Sequence, residues 1–215
     1  MAVLGSQSTR RTRAKYGGKK ESVDERLLAA MERLLERGQK FGSLSVEQLA
    51  SEAGMARGTF YLHFKDKGEL VARLMEVVTD DIVRDSGAWL AFADKPQRAD
   101  IESALLGVAN AFRKHRAIVS ALNDTASSDP AVEALYMAMM RAICVRCRHS
   151  VNAVRRQGLA RDEAGDDVAD ALSWFVVLYF GRFAGVLEGA EFDRLTAAVT
   201  HICATAVFLD STKRP

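Results

Sequence analysis

Proline is scarce in this chain: three in 215 residues, at Pro96, Pro130 and Pro215. Because proline interrupts helices, its near absence between Glu21 and Asp210 leaves room for long helical segments. Cysteine is equally sparse, with only Cys144, Cys147 and Cys203. An odd, small number argues against a disulfide framework. Cys144 and Cys147 have CxxC spacing, but redox pairs sit at a helix start and zinc ribbons need a second pair. Inside a helical pattern the two simply share a face and act as small hydrophobes. No metal or cofactor is expected.

Long apolar runs are missing too. The longest, such as Trp174 to Phe180, have seven residues, well short of the ~20 that span a bilayer. Met1 to Arg13 lacks the apolar centre of a secretory signal, so the expectation is a cytoplasmic protein with no membrane partner. Catalytic constellations are also wanting. His63, His115, His149 and His201 form no HExxH pairing, and no Gly-rich phosphate loop or Gly-x-Ser-x-Gly occurs. The adjacent pairs Asp80–Asp81 and Asp166–Asp167 diverge on a helix. An enzyme is not expected.

What is present is a globular composition, 48% hydrophobic and 27% charged, which can bury a core. The net charge of +2 conceals an asymmetry. Residues 1–67 carry 13 Lys and Arg against 8 Asp and Glu, and the remainder carries 17 against 20. Six positive charges fall between Arg10 and Lys20 with no negative one. Such a run is usually a solvated tail. Ahead of a DNA-binding motif, it reads as an arm that follows phosphates or enters a minor groove.

Apolar periodicity predicts an all-α chain of about nine helices. Leu27, Leu28, Met31, Leu34 and Leu35 form one stripe behind a capping box, Ser22-Val23-Asp24-Glu25. A second capping box, Ser45-Val46-Glu47-Gln48, starts a short helix, and Gly54 permits a sharp turn. A third helix follows over about 56–63 with Phe60 and Phe64 inward. A fourth begins at Asp66 and extends past Ile82 through Trp89 and Phe92 to Lys95-Pro96. Further helices are expected over about 100–114, 116–124, 130–158, 167–188 and 192–209, with Asp129 capping the long one.

The informative stretch is Ser45 to Leu70. Two short helices joined by a Gly-containing turn, after a longer amphipathic helix, make a three-helix headpiece whose last helix enters the DNA major groove. Its residue types fit that task. Arg57 can fork onto guanine, Thr59 and His63 can bond phosphate, and Tyr61 can stack, bond phosphate or touch a thymine methyl. Gly58 removes bulk where the helix meets the DNA backbone. Ser45 and Lys67, at helix starts, can hold phosphates.

The run Gly54-Met55-Ala56-Arg57-Gly58-Thr59-Phe60-Tyr61-Leu62-His63-Phe64-Lys65-Asp66-Lys67 resembles the headpiece signature of the TetR family of regulators. Two positions depart from it. Ala56 stands where Ser or Thr often caps the recognition helix, at a cost of about 1 kcal/mol, and Gly68 replaces a common acidic residue.

The resemblance implies a basic arm over 1–20, a helix-turn-helix domain over 21–66 and a ligand-binding, dimerising body over 67–211. It implies a homodimer in which the last two helices of each subunit form a four-helix bundle. Ala184, Gly185, Ala197, Ala198 and Ala204 would allow close approach beside Phe183, Leu187, Leu195, Val199, Ile202 and Val207. Two headpieces would read a palindromic operator in double-stranded DNA. The body is similar to that of mycobacterial ethionamide-resistance-type repressors, whose pocket is long and apolar. Phe112, Tyr136, Met140, Ile143, Cys147, Ser173, Trp174 and Val176 would line it and bind a hydrophobic small-molecule effector that releases the operator. The competing class is a helical adaptor that binds only protein, which would need neither the basic arm nor the Arg-Gly-Thr-aromatic-Tyr run.

Overall fold

The computed structural model describes residues 22–116, 118, 119, 122 and 130–209. The basic arm, the Asp129 cap and the chain end beyond Leu209 lie outside them. Helix α1 (Val23–Glu36) opens on the expected capping box. The Ser22 hydroxyl accepts from the Glu25 amide at 3.1 Å, and the Glu25 carboxylate accepts from the Ser22 amide at 2.7 Å. This reciprocity satisfies two of the donors that a helix start leaves unpaired. A 3₁₀ turn, Phe41–Ser43, was not expected, and it precedes α2 (Val46–Glu52) and α3 (Arg57–His63).

Helix α4 (Lys67–Asp85) is shorter than the sequence pattern suggests. The Ser86 hydroxyl folds back to the Ile82 carbonyl at 2.6 Å, and Gly87 takes a positive φ of 52°. A left-handed residue ends a helix, so Trp89 and Leu90 fall on a separate short helix, α5 (Gly87–Leu90). Helix α6 (Arg98–Lys114) follows, and Arg116, Ile118, Val119 and Leu122 are helical as well. Helix α7 (Pro130–Arg156) runs to the expected end, whereas α8 (Asp166–Phe183) stops early and α9 (Gly189–Val207) starts early. The connection between them begins at Ala184, earlier than the apolar pattern implied.

A single apolar cluster reaches from Leu27 on α1 through Phe60, Leu70 and Met140 to Phe180 and Val207. Helices α4 and α6 to α9 build the body, and α4 also carries the headpiece of α1 to α3. The end of α9 is tied down, because Arg161 donates its amide to Val207 and its Nε to Thr205, at 2.9 and 2.6 Å. Among the described residues the one β pairing is an isolated bridge between Ala160 and Phe208. No helix among them is long and apolar enough to cross a membrane.

Candidate functional site

The turn between α2 and α3 is held from behind by α1. Arg26 donates Nε and Nη2 to the Ala53 carbonyl at 3.1 and 2.6 Å, and Nη2 also reaches the Gly54 carbonyl at 2.7 Å. These are carbonyls that a helix end and a turn leave without partners. Gly54 supplies the required positive φ of 63°. Arg33 adds a hydrogen bond to the Glu52 carboxylate at 2.7 Å and one to its carbonyl at 2.9 Å, while Arg37 pairs with the same carboxylate. The turn angle, and hence the aim of α3, is therefore fixed by guanidinium groups as well as by packing.

Helix α3 divides as its sequence demands. Phe60 and, just past its end, Phe64 are buried, while Arg57, Gly58, Tyr61, Leu62 and His63 are exposed and Thr59 is half-buried. Leu62 is 84% exposed, and the reading of the sequence overlooked it. The i, i+4 relation to Gly58 places it on the outward face. Ala56 makes no side-chain cap, as expected. A β-carbon at Gly58 would meet nothing within 4 Å, so no contact inside the chain requires glycine there.

Arg57 is not idle. Its guanidinium pairs with the exposed Glu47 of α2, lies 5.5 Å from the Tyr61 ring centroid and reaches the Tyr61 hydroxyl at 3.5 Å. Glu47 was not singled out from the sequence, since nothing local announces a pair ten residues apart. Ser45 caps α2 by accepting from the Gln48 amide at 3.2 Å, which leaves its hydroxyl hydrogen available. Lys67 behaves differently from expectation. Its ammonium donates to the carbonyls of Phe41, Gly42 and Leu44 at 3.1, 3.1 and 3.2 Å and sits 4.8 Å from the Phe41 ring centroid. Those contacts tie the start of α4 to the 3₁₀ turn ahead of α2.

In the body, a cavity of about 50 Å³ lies among α4, α5, α6, α7, α8 and α9. Of the residues expected to line a pocket, it gathers Ile143, Cys147, Ser173 and Val176. Phe112 and Tyr136 line a second, smaller space of about 10 Å³. Ile82 and Val177 face both and form the wall between them. Met140 and Trp174 line neither. Met140 is buried in the core, and the Trp174 ring lies 6.1 Å from that of Tyr136. The sequence reading missed Trp89, Leu105 and Cys203, which come to the cavity from three different helices.

The lining is apolar and proton-neutral. Ser86 and Ser173 spend their hydroxyls on the Ile82 and Ala169 carbonyls at 2.6 and 2.8 Å. Burial pushes the Cys147 thiol up to about 11 and the Cys203 thiol up to about 12. A thiol so raised stays protonated and poorly nucleophilic near neutral pH.

Residues 27–74 match the bacterial regulatory proteins of the tetR family. These residues span most of α1, the α2–α3 pair and the start of α4, so the chain is similar to the TetR family in its headpiece. It is 28% identical over 189 residues to the HTH-type transcriptional regulator EthR of Mycolicibacterium smegmatis, covering 85% of this chain and 84% of that one. Against EthR of Mycobacterium tuberculosis the identity is 26% over 205 residues, 93% and 92% of the two chains. The fold superposes on SmeT, the repressor of the Stenotrophomonas maltophilia multidrug efflux pump SmeDEF, with a TM-score of 0.69 at 19% identity, over 91% of this chain and 95% of that one. The TetR-family regulator PfmR of Thermus thermophilus gives 0.65 at 17% identity, over 83% and 96%.

The chain also leaves an apolar face uncovered on α8 and α9. The half-buried Phe175 and the exposed Tyr179 and Phe183 follow one another along α8 with ring centroids 5.4 and 4.9 Å apart, beside the exposed Leu178 and Val186. On α9, Ala197, Ala198 and Ile202 are exposed. Among the other residues expected at a subunit contact, Ala184, Leu195, Val199, Ala204 and Val207 are buried in the chain's own core. Gly185 lies against the Arg116 β-carbon, and Leu187 is half-buried.

Proposed function

We propose that this chain is a DNA-binding transcriptional regulator, a homodimeric repressor that binds a palindromic operator through α3 and releases it when a lipophilic small molecule enters the body. The observation that carries the reading is the division of α3, whose buried aromatic pair anchors a helix with Arg57, Gly58, Tyr61, Leu62 and His63 outward. A helix of that width fits a major groove, and an arginine beside an aromatic ring and a leucine suits guanine and thymine-methyl contacts. Thr59, His63 and Ser45 stand where phosphates would pass. Lys67 contributes through the turn it holds. Nothing internal offsets the cost of glycine at Gly58 within a helix, which supports close approach by an outside backbone.

The uncovered stripe on α8 and α9 supports the dimer, because contiguous exposed apolar residues mark interaction surfaces. The headpiece over 21–66 and the body over 67–211 then act as reader and sensor. A drug-sized ligand needs some 300–1,000 Å³, so the cavity must open, and removing the Ile82–Val177 wall by rotamer change would join its two parts. SmeT is by its description a repressor, and the EthR proteins are helix-turn-helix regulators; both accord with repression here.

The test is a hydroxyl-radical footprint of the full-length protein on duplexes captured from its own genome, with light scattering to fix the mass in solution. Two protected stretches one helical turn apart, made by a dimer, support the reading. Asymmetric protection by a monomer refutes it, and a protein that captures only other proteins is an adaptor.

A further inference from the structure

His115, at the end of α6, is 1% exposed and lies between two carboxylates from different parts of the molecule. Its Nδ1 is 3.2 Å from Glu32 Oε1 on α1, in the headpiece. Its Nε2 is 2.9 Å from Asp81 Oδ2 on α4, one residue before the cavity-lining Ile82. An ionised carboxylate only accepts hydrogen bonds, and a neutral imidazole has one donor and one bare lone pair. A neutral ring would therefore point a lone pair at one of the two oxygens.

The charges around the ring decide its state. On α4, burial alone would raise the Asp81 carboxyl, but hydrogen bonds from Lys114, His115 and Arg84 outweigh it and hold the group well below the ordinary carboxylate range. Asp81 is thus ionised, and Nε2 must donate to it. On α1, Glu32 faces the ring, and Glu36, one turn on, is taken by Arg116 at 3.2 Å. Asp85 is taken by Arg84 at 3.0 Å. A neutral ring donating to Asp81 would turn its bare Nδ1 lone pair toward the Glu32 oxygen 3.2 Å away, and two acceptors facing each other repel. The proton between Nδ1 and Glu32 then sits on the ring.

We propose that His115, with hydrogen on both ring nitrogens, is a positioning residue for DNA binding that clamps the headpiece to the body, and that losing one proton releases the clamp. This rests on the headpiece being the DNA reader. The clamp lies where it can sense the cavity. Ile82, next to Asp81, faces both internal spaces, and Ile101, Ala104, Leu105 and Val108 of α6 line the larger one. Any displacement of α4 against α6 shifts His115 relative to Glu32, and with it α1 and the guanidinium groups that set the α2–α3 turn.

The test uses the full-length protein, ring nitrogen NMR and duplex binding between about pH 6.5 and about pH 8.5, the interval in which histidine charge is sensitive. Glu32→Gln is the informative variant, because its amide can donate to a neutral ring and removes the need for the proton. Both ring nitrogens of wild-type His115 should carry hydrogen at the acid end. Across the interval wild-type affinity for genomic duplex should fall about tenfold more than that of Glu32→Gln, the scale of a typical coupling between sites. His115→Gln should show the same flattened profile. One bare ring nitrogen at the acid end, or superimposable profiles for wild type and Glu32→Gln, would overturn the proposal. If no duplex binds at any pH, the DNA reading fails instead. The clamp is then judged by amide exchange in α1, which should accelerate with pH beyond that of Glu32→Gln and refutes the clamp if it does not.

Discussion

Gly107 of α6 lies so close to the Asp85 carbonyl of α4 that a β-carbon there would overlap it. The two helices meet backbone to backbone at the point where α4 ends. Gly107→Ala must push them apart or bend one of them. Overpacking of this kind costs about 1–3 kcal/mol, and denaturant unfolding of the variant should show a loss in that range. An unchanged midpoint would mean the helices slide freely past each other.

Gly58→Ala should have opposite effects on folding and on binding. Alanine is the better helix former by about 0.5–1 kcal/mol, and no neighbour within 4 Å obstructs a methyl group. Thermal melting should therefore rise, while affinity for duplex DNA falls. A variant that is stabilised and binds as well as the parent removes Gly58 from the interface.

Glu47 puts a carboxylate beside Arg57 on the face assigned to DNA. Both side chains are more than half exposed, so the pair is worth under about 1 kcal/mol. Glu47→Gln should free the guanidinium and remove a charge that repels phosphate. Binding to unrelated duplexes should then tighten by at most about fivefold, as read by fluorescence anisotropy at low salt. Weaker binding of all duplexes would instead make Glu47 a support for Arg57.

The sequence made the headpiece legible because its signals are local. Capping boxes at Ser22 and Ser45, a glycine turn at Gly54 and a three-to-four residue alternation on α3 each act within a few residues. The body was legible in outline only. The break at Ser86 depends on a hydroxyl choosing the Ile82 carbonyl, and apolar side chains continue past it without a pause. Pocket and core use the same residue types, so Met140 and Ile143 look alike in sequence although only Ile143 reaches the cavity. Long-range pairs such as Glu32–His115 and Phe41–Lys67 have no sequence signature at all.

Ala104 faces the cavity from α6 and is buried. Ala104→Val fills part of that space, and cavity filling commonly adds about 0.5–2 kcal/mol. The variant should melt at higher temperature and keep its operator affinity, yet lose release by hydrophobic compounds that act on the parent. Release at parental ligand concentrations would move the effector site elsewhere.

Asp81 fixes the response to acid. Its carboxyl is depressed in the folded protein, so its contribution is present above the ordinary carboxylate range and fades as pH falls through that range. Stability should therefore decline on acidification from about pH 5 downward, and Asp81→Asn should show a shallower decline. At neutral pH the same variant should lose about 1–3 kcal/mol, because one amide oxygen cannot accept from Lys114, Arg84 and His115 together as the carboxylate does.

The central claim is that α3 reads duplex DNA with Arg57 at its tip, and its most direct measurement is the affinity of full-length wild type and Arg57→Ala for one captured genomic duplex and its base-substituted versions at rising salt. Wild type should lose affinity steeply with salt and discriminate the substituted duplexes, each mismatch costing about 1–3 kcal/mol, while Arg57→Ala should bind more weakly and discriminate less. Binding that ignores salt, or an Arg57→Ala protein that discriminates as sharply as the parent, would contradict it.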